Sequence, residues 1–241
     1  MLRLDQILVE KGLVSTRTRA GELIQNGKVQ VNGKLVEKCG KKFDPESDIQ
    51  LLEEESPWVS RGSIKLLAAF EKWNIDVAGK IGLDIGASTG GFTQVLLSKN
   101  IAKVYAVDTG VNQLAPAVNM DSRVINLEKS NFRYFHGKSL PEVPEVAVID
   151  VSFISQVLLY PALKACLSKG GDVISLVKPQ FEAGKERVGK GGIIRDLETR
   201  KLVLDEVMAE AKLAGFTIHG VMDSPIEGGD GNKEFLMYMS L

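Results

Sequence analysis

The sequence predicts an α/β protein built on a doubly wound, mostly parallel sheet, preceded by a small α+β domain. Three observations carry that prediction. From residue 61 onward, short apolar runs of strand length alternate with segments of helical periodicity. A glycine-rich stretch, Asp84-Ile85-Gly86-Ala87-Ser88-Thr89-Gly90-Gly91-Phe92, joins one such run to the next helix. The charge also changes sign along the chain: Met1 to Phe43 holds nine basic and four acidic residues, a net +5, in a protein whose total is −1.

The basic segment comes first. Leu4, Ile7 and Leu8 repeat at helical spacing, and Ala20, Leu23 and Ile24 do so again behind Ser15-Thr16, a candidate cap for a second helix. Val29-Gln30-Val31 alternates as a strand does, and Asn32-Gly33 is a hairpin turn leading into Lys34-Leu35-Val36. Glu53-Glu54-Glu55-Ser56-Pro57 then breaks the pattern with charge and proline. The first domain is therefore placed at 1–55, a linker at 56–60 and the main domain at 61–241.

In the main domain the expected order is a helix over Ile64 to Phe70, a strand Ile81 to Ile85, a helix Phe92 to Lys99 and strands Val104 to Val107 and Val146 to Val151. A helix Leu158 to Leu167, a strand Val173 to Val177, a helix Leu197 to Leu213 and strands Thr217 to Met222 and Phe235 to Met239 complete it. In such a sheet a ligand sits at the carboxyl ends of the parallel strands.

Composition narrows the class. With 44% hydrophobic and 25% charged residues the chain is of ordinary globular type. Its longest apolar stretch, Val157 to Leu163, is far short of a membrane span. The start, Met1-Leu2-Arg3-Leu4-Asp5, does not read as a secretory signal, so a cytoplasmic location is expected. Cys39, Cys166, His136 and His219 have no neighbours at ligand spacing, and no metal site is expected.

The glycine stretch matches neither G-x-G-x-x-G nor a P-loop. It fits a nucleoside-type cofactor without a large anion. Asp108 closes the next strand about 20 residues on, where a carboxylate can accept both hydroxyls of an unphosphorylated ribose. A glycine-rich turn that simply packs tightly is the alternative.

Several strings together resemble one family. They are Arg3-Leu4-Asp5, Arg17-Thr18-Arg19-Ala20, Gly27-Lys28-Val29-Gln30-Val31-Asn32-Gly33, Ser60-Arg61-Gly62-Ser63-Ile64-Lys65-Leu66, the glycine loop, Val148-Ile149-Asp150-Val151-Ser152-Phe153, Val177-Lys178-Pro179-Gln180-Phe181-Glu182 and Asn232-Lys233-Glu234-Phe235. The chain resembles the TlyA or hemolysin A family, in which an alpha-L RNA-binding domain is fused to an FtsJ/RrmJ-type ribose 2'-O-methyltransferase of Rossmann-like fold. The resemblance implies S-adenosylmethionine as cofactor, with Asp84, Gly86, Ser88, Thr89, Gly90, Gly91, Phe92, Asp108, Asn131 and Asp150 as its candidate contacts. Asn131 stands where FtsJ-type enzymes place an aspartate, a departure from the pattern. The resemblance further implies a Lys-Asp-Lys-Glu tetrad on Lys65, Asp150, Lys178 and Glu234.

Those four positions also make sense physically. Asp150 and Lys178 end apolar strands, Glu234 opens the last one, and Lys65 begins the helix before the first. A charged residue at a strand end often marks only the point where the chain meets water, yet four converge on one sheet edge. A ribose hydroxyl must lose its proton to accept a methyl group. Lys178 is the candidate base; if it stays charged, it stabilises the developing alkoxide instead. Phe153 and Phe181 pack or stack a base, and Trp58 and Trp73 are expected to pack. The basic loop Gly184 to Arg195 is either solvated or a phosphate-gripping lid.

The basic first domain is nearly free of aromatics, which suits phosphates and RNA shape better than stacking on single strands. Arg3, Lys11, Arg17, Arg19, Lys28 and Lys34 are its candidate RNA contacts. By resemblance the partner is ribosomal RNA or a ribosomal subunit, with no membrane involved; oligomeric state is not legible. A small-molecule methyltransferase, a non-catalytic RNA-binding or assembly factor and a hemolysin-like membrane-active protein are the competing readings.

Overall fold

A computed structural model describes residues 1–14, 17–52, 56–189, 191–228 and 231–241. The expected cap Ser15-Thr16, Glu53 to Glu55 at the end of the first domain and Lys190 lie outside the described residues. The chain divides into two compact units, Met1–Pro57 and Trp58–Leu241.

The first unit runs β1 (Leu2–Arg3), α1 (Leu4–Glu10), α2 (Arg17–Gln25), β2 (Val29–Val31), β3 (Lys34–Leu35), β4 (Lys42–Phe43) and β5 (Ile49–Leu51). Asn32 and Gly33 both take positive φ, 52° and 74°, which turns β2 tightly into β3. β5 pairs with the other edge of β2, and β1 pairs with β4. Leu4, Leu8, Leu23 and Ile24 from the helices close over Val29 and Val31 in a separate small core. The helix, helix, hairpin order is as expected; β1, β4 and β5 are additions.

The second unit runs α3 (Gly62–Trp73), β6 (Ile81–Ile85), α4 (Gly91–Ser98), β7 (Lys103–Val107), α5 (Pro116–Asn119), β8 (Val124–Leu127), β9 (Val146–Ile149), α6 (Tyr160–Cys166), β10 (Asp172–Val177), α7 (Pro179–Glu182), α8 (Leu197–Leu213), β11 (Thr217–Asp223) and β12 (Phe235–Ser240). Its seven strands lie in the order β11-β12-β10-β9-β6-β7-β8. Only β12 and its edge partner depart from uniform parallel pairing, β12 running antiparallel to both neighbours.

Successive residues of the central strands supply opposite cores, as a sheet covered on both faces requires. Leu83, Ile85, Ala147 and Ile149 face Leu163, Val207 and Ala211 on one side. Val146, Val148 and Ile174 face Leu66, Phe92, Val95 and Leu96 on the other. Trp58 and Trp73 pack against this second core, half-buried. Residues 58–60, counted with the linker on sequence grounds, pack with the second unit: the Val59 N–H donates to Gln94 Oε1 at 2.7 Å. Two expectations need adjusting. The segment expected as one helix from Leu158 begins as a 3-10 turn over Gln156–Leu159 and becomes α-helical at Tyr160, with Pro161 in the first helical turn where its missing N–H costs nothing. The strand expected to reach Val151 ends at Ile149.

Candidate active site

The carboxyl edge of the parallel strands collects the charged residues. β12 pairs with β10 so that Phe235 opposes Val177, and β10 pairs with β9 so that Ser175 opposes Ile149. Glu234, Lys178 and Asp150 therefore leave three neighbouring strands side by side. Because β12 is antiparallel, its first turn rather than its last reaches this edge. Lys65 joins from α3, where it is the fourth residue rather than the first.

The four side chains form two ion pairs. Lys65 Nζ lies 2.5 Å from Glu234 Oε2, with both residues buried at 7% and 3% exposure. Lys178 Nζ lies 2.6 Å from Asp150 Oδ1 and donates to Ser152 Oγ at 2.9 Å. Lys65 is thus committed to Glu234, and each cation has its own carboxylate. Two ammonium groups at one edge are tolerated in this way, since a buried charge must be paired.

Beside the second pair lies a cavity of about 490 Å³, in the range that takes a nucleoside-sized ligand. Gly86, Ser88, Asp108, Asn131 and Asp150 line it, together with Gln113, Ser152 and Phe153. Gly86 has φ +85°, and a Cβ there would lie 2.4 Å from the Asp150 carbonyl oxygen. Asp108 accepts from the Ser88 N–H at 2.8 Å and the Gly110 N–H at 2.7 Å, which fixes its carboxylate while leaving acceptor capacity toward the cavity. Asn131 uses its side-chain oxygen to cap the following turn through the Arg133 N–H.

The remaining loop residues lie away from the cavity lining. Asp84, Thr89, Gly90, Gly91 and Phe92 are not among the described residues that line the cavity. Phe92 is in the core. A Cβ on Gly91 would meet Ser60 Oγ, and one on Gly90, at φ +91°, would press on Val118 and Leu114. At Gly86, Gly90 and Gly91 alike the absence of a side chain serves close packing within the protein, and of the three Gly86 also lines the cavity, as Ser88 does. Asp84 is fully buried and receives the Thr93 hydroxyl at 2.6 Å, its other oxygen having no hydrogen-bond partner. Burial drives its pKa up to about 7, against the Thr93 hydrogen bond and with help from the Asp150 charge.

Ser152 and Glu182 were missed in the sequence. Ser152 follows Asp150 by two residues and is reached by the same lysine. Glu182 ends α7 and accepts from Ser155 Oγ at 2.6 Å and from the Gln156 N–H at 3.0 Å. Burial pushes its carboxyl above the ordinary range, opposed by those two donors. Phe153 is 91% exposed, has φ +63° and contacts Phe181 with ring centroids 5.0 Å apart. In the basic loop, Arg187 is paired with Glu206 at 2.9 Å, and Asn232 holds the backbone at Gly192 and Ile194.

In the first unit, Asp5 is buried and binds Arg3 at 3.0 Å and Arg17 at 3.1 Å, which keeps its carboxyl below the usual range, chiefly through Arg3. Lys11 and Lys34 are exposed, while Arg19 and Lys28 are partly buried.

An FtsJ-like methyltransferase model matches residues 58–241, and an S4 domain model matches residues 2–49. A Bacillus subtilis protein, YqxC, provisionally named an rRNA methyltransferase, is 44% identical over 98% of this chain and 85% of its own length. The 16S/23S rRNA (cytidine-2'-O)-methyltransferase TlyA of Mycobacterium tuberculosis is 41% identical over 98% of this chain and 89% of its own. A solved protein from Streptococcus thermophilus that carries a hemolysin designation superposes with a TM-score of 0.81 and 44% identity, over 99% of this chain and 87% of that one.

Proposed function

From the premise that this chain belongs to the TlyA family, an S4 domain joined to an FtsJ-like methyltransferase domain, we propose that it is a ribosomal RNA 2'-O-ribose methyltransferase that uses S-adenosylmethionine. The observation that carries the reading is the shared edge. Lys178 and its partner Asp150 sit beside the same cavity that Gly86, Ser88 and Asp108 line.

Gly86, Ser88, Asp108 and Asn131 would hold the cofactor's nucleoside, Asp108 taking the ribose hydroxyls. S-adenosylmethionine, when bound there, supplies an activated methyl group. The chain's residues handle the acceptor. Lys178, oriented by Asp150 and Ser152, meets the ribose 2'-hydroxyl and either removes its proton or stabilises the oxyanion as the proton leaves. The Lys65 and Glu234 pair braces the neighbouring strand end. Phe153, held outward, offers a stacking face to the target base.

The S4 domain supports an RNA partner: Asp5 aims two arginines that can take phosphates bidentately. Ribosomal RNA or assembled subunits are the substrate class in this reading, and the cytoplasm is where they are met. Among the described residues no helix is long and apolar enough to cross a membrane, and no observation favours the membrane-active reading.

The test is transfer of labelled methyl from S-adenosylmethionine to intact ribosomes and to separate subunits from a strain lacking this protein, followed by mapping of the modified ribose. Labelled 2'-O-methyl in ribosomal RNA is the expected result. Cofactor binding without transfer to any RNA would leave a non-catalytic assembly factor, and transfer only to small molecules would overturn the RNA reading.

A further inference from the structure

The segments that follow β9 and β10 are fastened together at four successive points. Asp150 binds Lys178, Ser152 accepts from Lys178, the Phe153 ring rests on Phe181, and Ser155 and the Gln156 N–H both donate to Glu182. The fastening continues inward, where fully buried Gln156 accepts from Ser175 Oγ of β10. Between the first and last fastenings sits Phe153, whose φ of +63° is a strained region for a bulky side chain. Such a conformation persists only where its surroundings over-determine it. On the far side of Phe153, the only carboxylate among the described residues that receives the segment's donors is Glu182.

We infer that Glu182 is a positioning residue for the acceptor side of the reaction. It clamps the 152–156 segment so that Ser152 stays on Lys178 and Phe153 stays turned outward at the cavity mouth. Its geometry suits that task. Both carboxylate oxygens are engaged by the segment, one by a hydroxyl at 2.6 Å and one by a backbone amide at 3.0 Å. Glu182 itself is not among the residues lining the cavity, so it acts through what it holds. Ser155 adds a second function, capping the turn that follows through the Val157 N–H, so loss of the clamp frees the turn and the strained residue together. This inference rests on the methyltransferase reading above.

The experiment compares Glu182→Ala, Glu182→Gln and Phe153→Ala, singly and as Glu182→Ala/Phe153→Ala, in methyl transfer to ribosomes, with cofactor affinity measured separately. Glutamine keeps an acceptor for the Gln156 amide and can donate to Ser155, so Glu182→Gln should stay within about threefold of wild type. Glu182→Ala should lose roughly 10- to 100-fold in kcat/KM toward the ribosome, the scale of a small displacement of a reacting group, with cofactor affinity changed less than about threefold. Added to Phe153→Ala, it should cost much less than it does alone, as residues acting through one segment do. Should Glu182→Ala fail to fold, Ser155→Ala removes one fastening and is expected to lose roughly 3- to 10-fold. The inference is overturned by Glu182→Ala at wild-type turnover, by Glu182→Gln as impaired as Glu182→Ala, by losses that multiply fully with Phe153→Ala, or by a matching loss of cofactor affinity. A wild-type protein that methylates no RNA defeats the underlying function instead, so the two failures are distinct.

Discussion

Gly86 and Asp150 touch through their backbones: a Cβ on Gly86 would sit 2.4 Å from the Asp150 carbonyl oxygen, closer than carbon and oxygen approach. The turn that faces the cavity and the strand end that carries Asp150 are therefore one unit, further joined by the Asp150 N–H donating to the Ile85 carbonyl at 3.0 Å. Moving one side of the cavity moves the other.

Gly86→Ala should consequently cost about 2–4 kcal/mol, combining a left-handed backbone with overpacking, and should weaken cofactor binding. Gly170→Ala is the internal standard. Gly170 has a similar φ of +73° and open space around it, so only the backbone cost of about 1–2 kcal/mol applies. Urea unfolding of both variants reads the difference, and equal losses would show that the contact with Asp150 does not matter.

Asp84 gives the protein a pH dependence with a defined sign. Burial raises its pKa from 3.8 to about 7. Between those values the folded state keeps a proton that the unfolded chain has released. Its contribution to stability is complete below the unfolded value and is lost as the pH rises through about 7. The stability difference between wild type and Asp84→Asn should thus shift against wild type, on the order of a few kcal/mol from pH 4 to pH 8. Parallel curves from denaturant titrations across that range would refute it.

Lys178→Ala should retain cofactor affinity within about threefold and lose about 10²- to 10⁴-fold in turnover, the scale of a lost proton-handling group. Isothermal titration with the cofactor and single-turnover methyl transfer separate the two quantities. Joint loss in a folded variant would remove Lys178 from its assigned role.

The Lys65 and Glu234 pair should behave as a buried ion pair does. Lys65→Met strands a carboxylate at 3% exposure and should cost about 3–5 kcal/mol, most of it recovered in Lys65→Met/Glu234→Leu. Thermal unfolding of the single and double variants checks this, and a double variant no more stable than the single would contradict it.

In the S4 domain, Arg17→Ala should weaken RNA binding across sequences and make the dependence of log affinity on log salt shallower by about 0.7–1. An unchanged slope would place Arg17 outside the phosphate contacts.

Much of this arrangement was legible in the sequence. The strands β6, β7 and β10 and the helix α8 show plain periodicity, and α8 spans Leu197–Leu213 as expected. β8 was not seen because Val124–Leu127 is a four-residue edge strand, half-exposed and without a clear alternation. β1 and β4 are two residues long and exist only through each other. At the site, strand ends marked Asp150 and Lys178, but pairing did not follow from them. Lys65 finds Glu234 across 169 residues of chain, a relation set by the position of α3 against β12. Likewise the packing of Gly90 and Gly91 was not legible, because the residues they face, Val118 and Ser60, are distant in sequence or lie in the stretch counted as linker.

The order of strands at the site, β12, β10, β9, β6 and β7, makes the sheet a ruler. Glu234, Lys178, Asp150, Gly86 and Asp108 occupy five successive marks on it, and neighbouring strands are held about 4.8 Å apart by their backbone hydrogen bonds. From Asp108 to Glu234 is four intervals, or roughly 19 Å. Side chains can be exchanged at any mark without altering the scale. The span between Asp108 and the two ion pairs is thereby set by main-chain geometry, and under the proposed function a substrate is measured against it before any side chain acts.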